Sequence, residues 1–124
     1  MQEKADDADR FQVLNLAGAA EFLGDAQAVS DLLQPLVTSL HKDIGEIEQA
    51  LGQSDMPSVS RMLHSLKGFI PVFCYAEFAD RLMDVERRSR SDTSAPMQAQ
   101  VQALLQPLRQ LLHESQRFLQ QSDR

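Results

Sequence analysis

Several residue types that define whole classes of protein are scarce in this sequence. Its 124 residues include one cysteine, one tyrosine and no tryptophan. A single cysteine, Cys74, excludes an internal disulfide and a four-cysteine zinc site. Leucine, alanine, glutamine, glutamate and arginine dominate instead, and this usage favours helices over strands. The cysteine content fits a reducing compartment, so the expected location is the cytoplasm.

Long apolar runs are also missing. No stretch approaches the about 20 residues that a membrane-spanning helix needs. Residues 1–10 are polar and charged, unlike a secretory signal peptide. We therefore expect no direct membrane contact, and any tie to a membrane would come through a partner or a longer parent chain.

Basic charge is in the minority. The formal net charge is −6, which argues against a nucleic-acid partner because phosphate backbones attract basic surfaces. The cluster Arg87, Arg88 and Arg90 falls at a predicted helix C-terminus, where cations suit the helix dipole. We interpret it as a solvated helix end.

The motifs of two further classes of site are absent. The three histidines, His41, His64 and His113, fall on separate predicted helices, and no His-x-x-x-His pair exists. The sequence therefore predicts no metal site. It has no glycine-rich phosphate loop either, so we expect neither a nucleotide cofactor nor kinase activity that uses ATP.

Apolar residues recur at spacings of three and four along five segments, which predicts five helices. Pro35 and Pro107 should kink, break or bend the second and fifth of these. Short connections and one apolar stripe on each helix describe an all-α fold, an antiparallel four-helix bundle with a short additional N-terminal helix. The predicted helices cover residues 16–23, 26–51, 57–70, 74–90 and 96–119.

The chain divides into one domain and two short ends. Residues 1–12 lack periodicity and are predicted to be a flexible lead-in or linker, residues 13–121 form the bundle, and residues 122–124 are a tail. The apolar stripes place Leu32 of the second helix and Tyr75 of the fourth toward the core. Asp25 and Asp55 stand where N-terminal caps are expected.

The third helix carries the candidate chemistry. At about 100° per residue, its apolar side chains share one arc and His64 lies near the centre of the opposite, solvent-facing side. Lys67 is one turn further on, and Gly68 leaves a bare patch beside it. Histidine is nucleophilic through its neutral ring nitrogen near pH 7. An exposed imidazole, a neighbouring cation and space for close approach together favour phosphoryl transfer.

A simpler interpretation fits the same residues. A surface histidine followed by a lysine is common by chance, and helical stripes say nothing about chemistry. In that case the domain is a non-catalytic adaptor or dimerisation bundle, and His64 is an incidental surface residue.

The segment 64–68, His-Ser-Leu-Lys-Gly, resembles the signature of histidine-containing phosphotransfer domains, abbreviated HPt, which serve multistep phosphorelays. In that family a His-x-Leu-Lys-Gly core lies on the second long helix of a four-helix bundle. Downstream, Phe78, Leu82 and the pair Val85-Glu86 look like the family's apolar positions leading to a terminal acidic residue. The resemblance extends over residues 14–119.

The resemblance implies a function. His64 would accept a phosphoryl group from a receiver-domain aspartate and pass it to a response-regulator aspartate. Lys67 would neutralise the phosphoryl oxygens, and Gly68 would leave room for the receiver. The divalent cation of the reaction is expected on the partner receiver, and this chain would be a carrier. A sensor histidine kinase in the same parent chain is compatible with this scheme.

A receiver that reaches His64 must dock around it. We expect the docking face to include the exposed side of the third helix and of the neighbouring second helix. The residues expected there are Ser60, Arg61, Pro71, Gln34, Thr38 and His41.

The sequence departs from the family pattern just after the glycine. Phe69 and Ile70 stand where the family has small residues, and Pro71 is unusual there. Cys74 and Tyr75 replace a glycine and a small residue at the turn into the next helix. These differences affect the shape of that turn and the choice of partner.

Overall fold

The structure, a computed structural model, describes residues 11–122 and forms a helical bundle. Within this range six helices occur and no strand, which confirms the all-α prediction. None of these helices combines the length and apolarity that crossing a membrane requires. Residues 1–10 of the predicted lead-in and residues 123–124 of the predicted tail lie outside the described part. The helices are α1 (Leu16–Leu23), α2 (Ala26–Gly52), α3 (Met56–Leu66), α4 (Ile70–Phe73), α5 (Ala76–Ser89) and α6 (Ala95–Ser122).

Side-chain caps fix where the first three helices begin. The carboxylate of Asp25 accepts the backbone N–H of Ala28 at 2.8 Å, and that of Asp55 accepts the N–H of Ser58 at 3.3 Å. Both caps agree with the sequence prediction. Asn15 caps α1 in the same way. Each cap satisfies one of the four N–H groups that a helix leaves without an internal partner at its N-terminus.

The two prolines do not interrupt their helices. Pro35 lies inside the 27 residues of α2, and Pro107 lies inside the 28 residues of α6. A proline inside a helix costs about 3 kcal/mol. Here α2 and α6 pack against each other along their length, and the buried apolar stripes of both helices offset that cost. The predicted break at Pro35 is therefore wrong.

The third helix is shorter than the sequence predicts. It ends at Leu66, and residues 67–69 form a turn before α4 begins. Pro71 does not stop α3, because it lies in the first turn of α4, where its missing N–H is not needed. In the turn, the N–H of Gly68 donates to the carbonyl of Ser65. Gly68 is therefore a turn residue and not the mid-helix glycine that the sequence suggested.

Each long helix packs against two other long helices. Helix α2 contacts α3 and α6, α5 also contacts α3 and α6, and the short α1 covers α2 and α4. Two predicted core residues are exposed: Leu32 lies at the edge of the α2 stripe, and Tyr75 precedes the first turn of α5. The largest fully buried side chains are Leu14, Leu33, Leu40, Ile47, Met56, Leu63, Leu66, Ile70, Leu82, Met97, Leu104 and Leu105.

Residues 11–15 form a non-helical segment, here called the N-terminal strap. Phe11 is buried although the sequence placed it in a solvated lead-in. The strap is held by Glu114 of α6, a carboxylate that is 2% exposed and accepts the backbone N–H groups of Gln12, Val13 and Leu14 at 2.8 to 3.0 Å. Residues 11 and 12 therefore belong to the packed domain.

The strap also pairs with the chain between α4 and α5. The N–H of Asn15 donates to the carbonyl of Phe73 at 2.8 Å, and the N–H of Tyr75 donates to the carbonyl of Val13 at 3.1 Å. Together these two bonds enclose an antiparallel bridge between Leu14 and Cys74. The junction that departs from the family pattern is thus fixed by backbone hydrogen bonds to the strap.

Candidate functional site

His64 lies two residues before the end of α3 and faces solvent. Its side chain is 66% exposed, which confirms the prediction that it is not part of the core. Val59, Leu63 and Leu66 are buried on the other side of the helix and fix its rotation. The core packing of α3 therefore holds the imidazole at the surface.

The partner of His64 is a glutamate from another helix. The side chain of Glu86 in α5 is only 1% exposed, and its Oε2 lies 3.4 Å from Nδ1 of His64. Its Oε1 lies 3.3 Å from Nζ of Lys67, and Nε of Arg90 is 3.3 Å from Oε2. A buried carboxylate needs charged or hydrogen-bonding partners to offset its lost hydration. Here all three partners are side chains that reach in from the surface.

This contact orients the imidazole ring. When Nδ1 carries the proton and donates to Glu86, Nε2 keeps its lone pair. With Nδ1 turned toward the protein, Nε2 is the ring nitrogen that solvent or a partner reaches. At 3.4 Å the hydrogen bond is long, so its main effect is on ring orientation.

Helix periodicity explains why Glu86 points inward. Leu82, Val85 and Ser89 are buried on the same side of α5, and Glu86 shares their face. The hydroxyl of Ser89 donates to the carbonyl of Glu86 at 2.8 Å. Arg90 lies one turn beyond Glu86, so its guanidinium reaches the carboxylate from the C-terminal end of α5.

Two residues of this cluster were missed by sequence reasoning. Glu86 appeared there only as the acidic residue that ends a family pattern, and Arg90 only as part of a solvated helix end. Arg87 and Arg88 do pair with Asp84 at the surface, as that interpretation expects. The available signal was an acidic residue within the apolar stripe of α5. Its 22-residue separation from His64 gives no local sign of contact.

Gly68 lies in the exposed turn after α3. Among the glycines of residues 11–122, only Gly24 has a positive φ, so the backbone at Gly68 does not require glycine. A Cβ added at Gly68 would have only one close neighbour, the Ser65 carbonyl oxygen at 3.4 Å. The fold therefore gives no reason for a glycine at this position, and its predicted role in close approach stays a prediction.

The other docking residues predicted on the third helix lie within seven residues of His64 in the sequence. Ser60 is half-buried one turn before it. Arg61 is exposed, and its guanidinium donates to the hydroxyl of Ser58 at 2.9 Å. Pro71 is exposed in the first turn of α4. None of these three residues forms a hydrogen bond with the imidazole.

The second-helix predictions lie elsewhere. Gln34, Thr38 and His41 are exposed. Gln34, His41 and Glu48 follow one another at intervals of seven residues, which puts Gln34, His41 and Glu48 on one face of α2. Glu48 forms an ion pair with Arg109 of α6. That face is therefore directed toward α6, whereas His64 is directed toward α5. No hydrogen bond or ion pair joins Gln34, Thr38 or His41 to His64, and their part in docking stays a prediction.

A shallow cavity of about 280 Å³ adjoins the cluster on the α5 side. Its lining is mostly charged and includes Asp80, Asp84, Lys67 and Arg90. Across residues 11–122, no three side chains of the kinds that bind metals converge. The groups that meet at this site are the imidazole, the carboxylate and the two cations.

One comparison with known proteins gives a result for this chain. The model of the Hpt domain family matches residues 31–117, which include His64, Lys67, Gly68, Glu86 and Arg90. Comparisons with curated proteins and with solved structures found no match. Hpt domains are phosphoryl carriers of phosphorelays in two-component signalling and are not kinases. The matched range covers well over half of the sequence and contains the whole His64 cluster, so this chain belongs to the Hpt domain family.

Proposed function

We propose that His64 is the phosphorylated residue, which accepts a phosphoryl group from the aspartate of a receiver domain and passes it to a response-regulator aspartate. The observation that carries the proposal is the contact between exposed His64 and buried Glu86, 3.4 Å apart. It holds the imidazole with Nδ1 inward and Nε2 outward, which is the orientation that a nucleophile needs.

The transfer step balances without a proton donor. The lone pair of Nε2 attacks phosphorus, the N–P bond forms, and the P–O bond to the aspartate breaks to release its carboxylate. Nδ1 keeps its proton, so the phosphorylated ring is an imidazolium. Glu86 then lies beside a positive charge that develops during the reaction, and fixed charges aimed at such a site lower the barrier. In the second step, the carboxylate of a response-regulator aspartate attacks the phosphorus, and the N–P bond breaks to release the neutral imidazole.

Lys67 and Arg90 would act on the phosphoryl oxygens. Both reach Glu86 at 3.3 Å, yet their side chains are partly exposed, so each can turn from the carboxylate toward an incoming anion. A phosphoryl group carries more negative charge than a carboxylate and has three acceptor oxygens. The pair therefore offers charge neutralisation at the place where the group arrives.

The remaining features of the proposal concern context. Helices α2, α3, α5 and α6 would form the antiparallel four-helix bundle, as their pairwise packing supports. The divalent cation would reside on the partner receiver. The domain would work in the cytoplasm, where the free, buried Cys74 is compatible with reducing conditions, and a sensor histidine kinase of the same parent chain is a suitable donor.

The test is to incubate the protein with a receiver domain that carries radiolabelled aspartyl phosphate and Mg²⁺. We expect acid-labile label on the wild type and none on His64→Gln, because glutamine has no nucleophilic nitrogen. His113→Gln is the matched control and should be labelled like the wild type. Label retained on His64→Gln would place the acceptor elsewhere. Absence of label from the wild type with every receiver tried would favour the adaptor interpretation.

A further inference from the structure

A groove of about 630 Å³ runs between α1 and α4. Phe22 lies on its rim with 73% of its surface exposed, the highest value among the large apolar residues that the structure describes as exposed. Leaving a phenyl ring in water is unfavourable, and burying it in a complex recovers that free energy. The groove is lined by Asn15, Gly18, Glu21, Phe22, Pro71 and Val72.

We propose that this groove, with Phe22 as the anchor, is part of the surface on which a receiver domain docks when it exchanges a phosphoryl group with His64. The inference rests on the proposed function and extends it from the reacting atoms to the partner's footprint.

The groove is continuous with the His64 site. Pro71 follows His64 by seven residues, and the chain between them is helix or tight turn, so at 1.5 Å per residue the separation is about 10 Å. A protein partner of ordinary size covers about 800 Å² on each side, a disc of roughly 16 Å radius. A disc centred on His64 extends past Pro71. The intervening Gly68 is exposed and has no side chain.

The two flanks of His64 differ in composition. On the α5 side, the cavity beside His64 is lined by Asp80, Asp84 and Arg87 with one exposed apolar side chain, Met83. Interface cores are depleted in charged residues and enriched in aromatic ones. The apolar part of a receiver footprint therefore fits the α1–α4 side, and the charged part fits the α5 side.

Hydrogen bonds hold the two walls of the groove together. The Asn15 side chain caps α1 by accepting the N–H of Gly18 at 2.9 Å, and its backbone N–H donates to Phe73 at the end of α4. Asn15 therefore ties the two walls together, and Glu114 in turn holds the strap. A preformed groove loses little conformational entropy when a partner binds.

The test uses the initial rate of phosphoryl transfer to the protein as a function of receiver concentration. The donor is a Mg²⁺-loaded receiver domain phosphorylated by acetyl phosphate. For Phe22→Ala we expect the half-saturating receiver concentration to rise about tenfold, the loss expected of an aromatic interface anchor, with the rate at saturation unchanged. Gln102→Ala is the matched control, since it shortens an exposed side chain in the groove between α2 and α6 and should change neither value.

The outcomes separate this inference from the function on which it rests. A half-saturating receiver concentration for Phe22→Ala within twofold of the wild-type value would overturn the proposal that the groove is a docking surface. It would leave the proposed phosphotransfer intact. A wild type that no receiver labels would overturn both. Labelling by phosphoramidate, a small donor that needs no docking surface, should be equal in the wild type and Phe22→Ala. A shift of the free protein from dimer to monomer in Phe22→Ala would instead identify the groove as a contact between two copies.

Discussion

Two buried glutamates on neighbouring helices serve opposite purposes. Glu86 and Glu114 are 1% and 2% exposed, and each carboxylate has several partners. The partners of Glu114 are backbone N–H groups of the strap and the amide of Gln110. Those of Glu86 are the ends of long or titratable side chains at the surface. The first arrangement is fixed by the chain itself, and the second can be rearranged by a ligand.

The difference shows how burial alone fails to identify a functional carboxylate. A backbone N–H can leave its acceptor only if the chain moves, so Glu114 contributes to folding and offers nothing to a partner. A lysine or arginine can leave its acceptor by rotating its side chain. We infer that a buried acid held by exposed cations indicates a site, whereas one held by main-chain donors indicates a structural tie.

The largest effect should come from Glu86→Gln. Glutamine keeps the shape but removes the charge beside the imidazolium that forms during transfer, so we expect the transfer rate at saturating receiver to fall roughly tenfold to a hundredfold. The thermal midpoint should change little, because the surrounding cations are free to turn into water. Glu114→Gln is the matched control and should transfer at the wild-type rate while folded. Equal rates for both variants would remove the functional distinction between the two carboxylates.

Glu114→Gln should instead lower stability. The amide offers one acceptor oxygen where the carboxylate offers two, and its NH₂ group faces backbone donors, so at least one buried N–H loses its partner. We expect a loss of about 2 kcal/mol, a drop in thermal midpoint of roughly 8 °C. Chemical denaturation monitored by circular dichroism would measure it. A larger loss of stability for Glu86→Gln than for Glu114→Gln would show that Glu86, and not Glu114, is the structural tie.

The sequence revealed one side of each contact and not the other. His64, Lys67 and Gly68 lie within five residues, so helix periodicity was enough to place the histidine on the solvent face. Glu86 and Glu114 depend on packing between helices, and periodicity gives a face but not the helix that the face meets. The docking residues on α2 illustrate this limit, because their exposure is confirmed and their sharing of a face with His64 stays a prediction.

The predicted end of α3 was wrong for a different reason. Pro71 predicts a stop, but a proline is equally suited to the first turn of a new helix, and local sequence does not separate the two. The strap pairs with residues 73–75 through hydrogen bonds that come from about 60 residues earlier in the chain, so local sequence holds no sign of them. Phe11 was assigned to the lead-in because five residues of strap have no periodicity to detect.

A smaller effect is expected at Lys67. Replacing it with alanine removes one of two cations near the phosphoryl group, and Arg90 remains, so the transfer rate should fall several-fold with receiver affinity unchanged. Gly68→Gln is the matched contrast: it adds bulk at an exposed turn, and should weaken receiver binding while leaving the rate at saturation intact. The two variants are compared by the same receiver titration. A change in affinity for Lys67→Ala equal to that for Gly68→Gln would assign both residues to docking.

The effect that is smallest at neutral pH belongs to the structural side, because it appears only in alkali. Burial raises the pKa of the Cys74 thiol from 9.0 to about 12, and the charge of Glu114 adds to the shift. Because the folded-state pKa is the higher one, the folded form holds its proton where the unfolded form has lost it, and stability falls as pH rises from about 9 to 12. Cys74→Ala should remove the part of this loss of stability that the thiol causes. In the native wild type at pH 9, iodoacetamide should react with Cys74 at least about tenfold more slowly than in the unfolded chain, since the thiolate is the reactive form. Equal reaction rates in the two states would show that the junction between the strap and α5 opens readily, and would contradict the role given to Glu114.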